Sequence, residues 1–189
     1  MDTRSNAPIT LPPARRDQRG DHLGDLGQEA VVALAPLLRQ LLADVFVLHL
    51  KTKGFHWHIG GRHFRDYHLL LDEQADQLFA MTDAIAERSR KLGAVSLRSI
   101  GDVVRHQRLR DSDAGDLTAT DMLRELRGDS LQLTRSLRQT HAACDRHGDL
   151  ATASSIENWI DEAERRTWFL SEVLRGLDGQ GSQPVIDGA

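Results

Sequence analysis

Only one cysteine, Cys144, occurs in the 189 residues. No internal disulfide can form, and a single thiol cannot build a cysteine-ligated zinc site. A reducing compartment, the cytoplasm, is expected. Aromatic residues are scarce at 5%. Leucine and alanine carry the apolar content, which favours helices over a β-sandwich. Lysine is nearly missing: Lys51, Lys53 and Lys91 are the only ones, and arginine supplies the remaining positive charge. The net charge of −4 is unlike that of a strongly basic nucleic-acid binder. The opening stretch, MDTRSNAPITLPPARRDQRG, has no apolar segment of signal-peptide type, so no secretory signal is expected there. No uninterrupted apolar run approaches about 18 residues, so no membrane span is expected. Also missing is Glu-x-x-His, the motif with which di-iron bundles build a centre inside one chain.

Apolar residues make up 40% of the chain, enough for a real core. Residues 1–27 hold Pro8, Pro12, Pro13, Gly20, Gly24 and Gly27 among scattered charges and read as a flexible arm. Residues 179–189 read as a second loose tail. Between them, 28–178 carries four segments of helical period. The first, about 28–57, has Leu34, Leu37, Leu38, Leu41, Leu42, Val45 and Leu48 at spacings of three and four. Pro36 either kinks it or marks its true first turn, and Gly60-Gly61 stops it. The second, about 62–92, ends at Gly93. The third, about 120–147, starts at a Thr118/Asp121 cap and stops at Gly148. The fourth, to about 177, takes Asp149 as N-cap. The long connection between the second and third accommodates a short helix from Ser96. The expected fold is all-α: a four-helix bundle with a short extra helix in the crossover between helices two and three.

His68, Asp72, Asp83 and Glu87 lie on the second helix as two i, i+4 pairs. At about 100° per residue they fall at roughly 0°, 40°, 60° and 100° around the axis, on one face. Asp72 and Asp83 are about 16 Å apart along it, too far to share an ion held by bonds of about 2 Å. The numbers 68 and 87 sum to 155, and so do 72 and 83. Two copies packed antiparallel about a two-fold axis between residues 77 and 78 would bring His68 to Glu87 and Asp72 to Asp83. Imidazole plus carboxylates suit iron, zinc or manganese. Charged pairs at this spacing are usually a solvated helix face, and on spacing alone that alternative stays open.

The segment FHWHIGGRHFRDYHLLLDEQADQLFAMTDAIAERSRKLG resembles the signature of the Dps family, the mini-ferritins. His56-Trp57 is followed at the family's spacings by His68, Asp72, Asp83 and Glu87, the last within Ala86-Glu87-Arg88. The resemblance runs from about residue 28 to 177 and includes Trp168-Phe169. It implies a ferritin-like bundle and a dodecamer assembled from two-fold dimers. It further implies ferroxidase centres shared between subunits, with Asp83 and Glu87 from one chain and His56, His68 and Asp72 from its partner. The implied substrates are ferrous iron and hydrogen peroxide, the implied product a ferric mineral inside the shell, and the implied role protection from oxidative damage. A nucleoid-compacting protein with little ferroxidase role, and a redox-silent zinc or manganese dimer site, are the competing readings.

Trp57 and Trp168 match tryptophans that the family places near the iron centre, but core packing is the expectation for both. His58 stands where asparagine is common in the family, and a role at the surface or behind the ligands is expected. His49 and His63 read as packing or surface residues. Asp145, Asp149, Glu157 and Asp161 lie where the family forms acidic pores, although acids near a helix start are also ordinary dipole partners. The arm offsets Arg4, Arg15, Arg16 and Arg19 with Asp2, Asp17, Asp21 and Asp25, so any binding to DNA is expected to be weak.

Overall fold

The structure, a computed structural model, describes residues 25–179. The expected N-terminal arm up to residue 24, and the expected tail from residue 180, lie outside the described residues. Five helices follow in order: α1 (Gln28–His58), α2 (Phe64–Lys91), α3 (Ile100–His106), α4 (Ala119–His147) and α5 (Leu150–Gly179). No strand occurs among the described residues. The helices α1 and α2 form one antiparallel hairpin and α4 and α5 a second. The hairpins join mainly through α1 and α4, while α3 lies on α1 within the crossover.

The leucine stripe of α1 forms the middle of the core. Leu34, Leu38, Leu41, Leu42, Val45 and Leu48 are buried there with Leu71, Leu78, Met81 and Ile85 of α2, and with Leu123, Leu126, Leu133 and Leu137 of α4. Each such side chain contributes roughly 1.5–3 kcal/mol on leaving water. By length and composition α1 is long and apolar enough to cross a membrane. Most of that stretch is buried inside the bundle, as a core helix requires. Pro36 lies inside α1 and the helix continues through it. The Val32 carbonyl loses its usual N–H partner to the proline ring, on a residue that is itself exposed.

Local chemistry sets the helix ends. Thr118 accepts the Asp121 N–H at 3.2 Å and Asp149 accepts the Thr152 N–H at 3.1 Å, both as N-cap side chains. Gly148 follows α4 in the left-handed conformation, with φ of 70°. Buried charge then ties the crossover down. Asp44 on α1 accepts the Arg108 and Leu109 backbone N–H groups at 2.6 and 3.2 Å, and the Arg108 guanidinium at 2.6 and 2.8 Å. About two turns further on, Lys51 reaches Glu125 at 2.7 Å and Asp129 at 2.8 Å on α4.

Candidate metal centre

The turn at Gly60-Gly61 folds α2 back beside the end of α1; Gly61 has φ of 102°, a conformation that favours glycine. His56 on the last turn of α1 then meets His68 on the first turns of α2. Their rings stack with centroids 3.7 Å apart. His56 Nδ1 donates to the His68 carbonyl at 2.8 Å, and His68 Nδ1 donates to the His56 carbonyl at 2.9 Å. A carbonyl oxygen only accepts, so both Nδ1 atoms carry the proton. In the neutral rings both Nε2 atoms therefore present a lone pair, the state in which imidazole ligates a metal. The reciprocal bonds also hold the two rings in one orientation.

Asp72 is one turn beyond His68. Its Oδ1 lies 3.8 Å from His56 Nε2, and the Lys53 ammonium donates to that same oxygen. The hydrogen bond from Lys53 leads in holding the Asp72 carboxyl below the usual carboxylate range, although partial desolvation opposes it. Asp72 thus stays charged, with an ammonium at the oxygen that faces the histidines. Asp83 and Glu87 are exposed on the same helix. Glu87 pairs with Lys91 at 3.0 Å. Among the described residues of one chain, no group of three or more His, Cys, Asp or Glu side chains is placed to hold a metal ion. A single chain stacks His56 on His68 and sets Asp72 beside His56, short of a complete three-residue ligand group, and carries Asp83 and Glu87 further along α2.

Several neighbours depart from the sequence reading. Trp57 and Trp168 are 63% and 59% exposed, which corrects the expectation of core packing for both. At the end of α1 His56 takes the inward position, and the next residue lies about 100° round the helix, facing out. Trp168 donates to Glu172 at 3.2 Å and sets its ring edge-on to Phe169. Trp159 is the buried tryptophan. His58 is exposed and donates from Nδ1 to the Gly54 carbonyl at 2.7 Å, serving the open end of α1. His49 links α1 to α2 through the Ala75 carbonyl at 2.9 Å, and His63 lies against Tyr67.

Asp149 cannot line an acidic pore. It is 2% exposed and is bound by Arg88 at 2.7 Å and by the Thr152 hydroxyl. Asp145 and Glu157 instead flank His141, at 3.2 and 3.1 Å from its two ring nitrogens. The sequence reading missed His141, although His141/Asp145 is an i, i+4 pair of the kind it used elsewhere. It also missed Lys53, which was conspicuous as one of three lysines. Burial, with the nearby Asp149 and Asp145 charges, pushes the Cys144 thiol up to about 12, so thiolate ligation has no part here.

Residues 36–179 match the family described as a ferritin-like domain. A low temperature-induced protein of Nostoc sp. is 36% identical over 155 residues, 80% of this chain and 86% of that protein. The DNA protection during starvation protein 1 of Deinococcus radiodurans is 29% identical, over 79% of this chain and 72% of the relative. Among solved structures, Dps from Thermosynechococcus elongatus superposes with a TM-score of 0.75 at 26% identity, covering 85% of this chain and 98% of that one. Antigen TpF1 from Treponema pallidum gives 0.77 at 28%, covering 80% and 97%. The fold is thus that of the ferritin-like class. Within that class, the chain belongs to the Dps family.

Proposed function

We propose that this chain is a subunit of a cage that oxidises ferrous iron with hydrogen peroxide and stores the ferric product. The observation that carries the reading is the reciprocal pair of hydrogen bonds between His56 and His68, which turns both Nε2 atoms out as ligands beside Asp72. Asp83 and Glu87 are the mirror partners of Asp72 and His68 about the midpoint of α2. An antiparallel two-fold dimer would join each histidine set to the carboxylates of the other chain, making two equivalent centres per dimer. Names of relatives that refer to DNA protection during starvation agree with a protective role.

In this reading ferrous iron is the substrate. His56 and His68 offer neutral nitrogen, while Asp72, Asp83 and Glu87 offer negative oxygen that stabilises the rise in charge from Fe(II) to Fe(III). Two ferrous ions each release one electron, the peroxide O–O bond breaks, and two protons complete two molecules of water. A lone ferrous ion would give peroxide one electron and release a hydroxyl radical, so pairing the ions is what makes the reaction protective. The ferric product then hydrolyses and deposits as oxide. We assign the bundle 28–178 to the shell, a dodecamer of about twelve times the 21.1 kDa subunit, in the cytoplasm. The charge-balanced arm 1–27 gives at most weak association with DNA.

The test is Asp83→Ala with Glu87→Ala. Both side chains are exposed, so the cage should assemble at wild-type size. Rapid peroxide-driven formation of ferric absorbance after anaerobic ferrous loading should be abolished. A wild-type rate in this variant would refute the site.

A further inference from the structure

Helix α4 has no lysine, phenylalanine, tryptophan or tyrosine, but it carries five arginines: Arg124, Arg127, Arg135, Arg138 and Arg146. All five are exposed. Arg124, Arg135 and Arg146 repeat at eleven residues, and so do Arg127 and Arg138. Eleven residues make almost three turns, so each step drifts only about 20° around the axis and advances about 16.5 Å. The five side chains therefore form one row about 33 Å long. Arg124 stands 3.9 Å from Asp121, Arg127 donates to the Ser171 hydroxyl at 2.7 Å, and Arg138 pairs with Glu164. Arg135 and Arg146 have neither an ion pair nor a hydrogen bond among the described residues. Glu125 and Asp129 of the same helix turn away from the row, onto Lys51. In a chain with a net charge of −4, the row is a local surplus of positive charge.

It also lies clear of the dimer face. α4 packs on α1 and α5 and not on α2, the helix that carries His68, Asp72, Asp83 and Glu87. Guanidinium groups suit phosphate oxygens, which accept two parallel N–H groups from one arginine. Three features of the row select among phosphate polymers. It is one helix wide, about 10 Å. It has carboxylates on both borders, Glu157 and Glu164 of α5 on one side and Asp111 and Asp113 of the crossover, beside Arg110, on the other. It has no aromatic side chain. The two phosphate rows of a DNA duplex face each other across grooves about 6 and 12 Å wide. With one row on the arginines, the other would lie over carboxylates. Single-stranded nucleic acid fits the width, but its bases stack on aromatic platforms, which α4 lacks. A chain of phosphates alone needs neither the extra width nor the stacking surface.

We propose that the arginine row of α4 binds linear inorganic polyphosphate. Such a chain is narrow, unbranched and ionised at every phosphate. Bound there, it ties the shell to a polyanion without using the arm 1–27. The proposal is independent of the iron centre, and its test contains no iron.

The probe is an end-labelled linear polyphosphate long enough to span the row. It is titrated with the assembled, iron-free cage and followed by fluorescence anisotropy over a series of salt concentrations. Binding should weaken as salt rises, since each contact releases counterions. Arg135→Gln with Arg146→Gln breaks no ion pair, so the cage should assemble at wild-type size. Its affinity should fall about tenfold, as expected for two exposed charge pairs. The slope of log affinity against log salt should shrink by about 1.4, at about 0.7 per contact as for a single strand. Arg165→Gln with Arg175→Gln on α5 removes the same charge elsewhere and should leave both values at wild type.

Equal weakening in the two variants would mean a response to net charge alone and would overturn the row. So would an absence of binding to the assembled cage. Unlabelled competitors matched in phosphate concentration identify the source. Polyphosphate should displace the probe, while duplex DNA and single-stranded RNA should not. Displacement by either nucleic acid as effective as that by polyphosphate would overturn the assignment to a base-free chain.

Discussion

Mixing two dead subunits should restore life. One parent carries His56→Ala with His68→Ala, the other Asp83→Ala with Glu87→Ala. In a dimer of either parent alone, each proposed centre lacks two of its five ligands. In a mixed dimer one centre draws all five ligands from intact halves, and the other keeps only Asp72. Random pairing makes half of the dimers mixed, and each recovers one centre of two, so about a quarter of the centres return. The parents are unfolded together, refolded, and purified at cage size. Ferrous iron is then loaded anaerobically, peroxide is added, and the fast phase of ferric absorbance is read. Its amplitude should approach about a quarter of wild type, while each refolded parent stays near the uncatalysed rate. Equal inactivity of the co-assembled mixture and its parents would refute ligation across the dimer. Amplitude in the histidine-deficient parent alone would show that the carboxylates need no histidine.

Lys53→Ala should tighten anaerobic ferrous binding by up to about fivefold, because an ammonium no longer competes for Asp72; the exposure of that pair limits the gain, and isothermal titration reads it. With its carboxyl held below the usual range, Asp72 should not be the group whose protonation ends binding as pH falls toward 5, so Asp72→Asn should lower affinity without moving the acid limb of a binding profile. Asp149→Ala should cost about 3 kcal/mol, since it strips a cap from α5 and leaves Arg88 without its buried partner; a fall in the thermal midpoint with unchanged iron oxidation well below it is the expected result. Deleting residues 1–20 should remove low-salt DNA retention in a gel shift and leave iron oxidation unchanged, and retention that survives the deletion at physiological salt would place the contact on the bundle.

Periodicity made much of this legible. The leucine stripe of α1 and the shared face of His68, Asp72, Asp83 and Glu87 follow from 3.6 residues per turn, and Thr118 and Asp149 announce their helix ends by residue type. His56 was another matter. It sits on a different helix, and only the resemblance to a family connected it to His68; the paired hydrogen bonds that fix both rings need coordinates. The misread residues have a common cause. Asp149 looks like an acid available at a helix start, but Arg88, 61 positions earlier, consumes it. Trp57 looks like core because tryptophan is large and apolar, yet a neighbouring histidine holds the inward position. In each case a partner distant in sequence, or competition within one turn, decides the outcome, and no window of residue types contains that information.

The chain has only three lysines, and each has its ammonium on a carboxylate: Lys51 on Glu125 and Asp129, Lys53 on Asp72, and Lys91 on Glu87. Two of those carboxylates belong to the proposed ligand set. On the proposed ligand assignment, metal uptake would be a cation exchange in which the displaced ion remains tethered to the protein. The proposed centre would carry its own counterions, so its carboxylates would be partly neutralised before a metal ion arrived. On the same assignment, the ammonium groups would stay within reach to return once a ferric product had left, so each turnover would begin from carboxylates that already have partners within the chain.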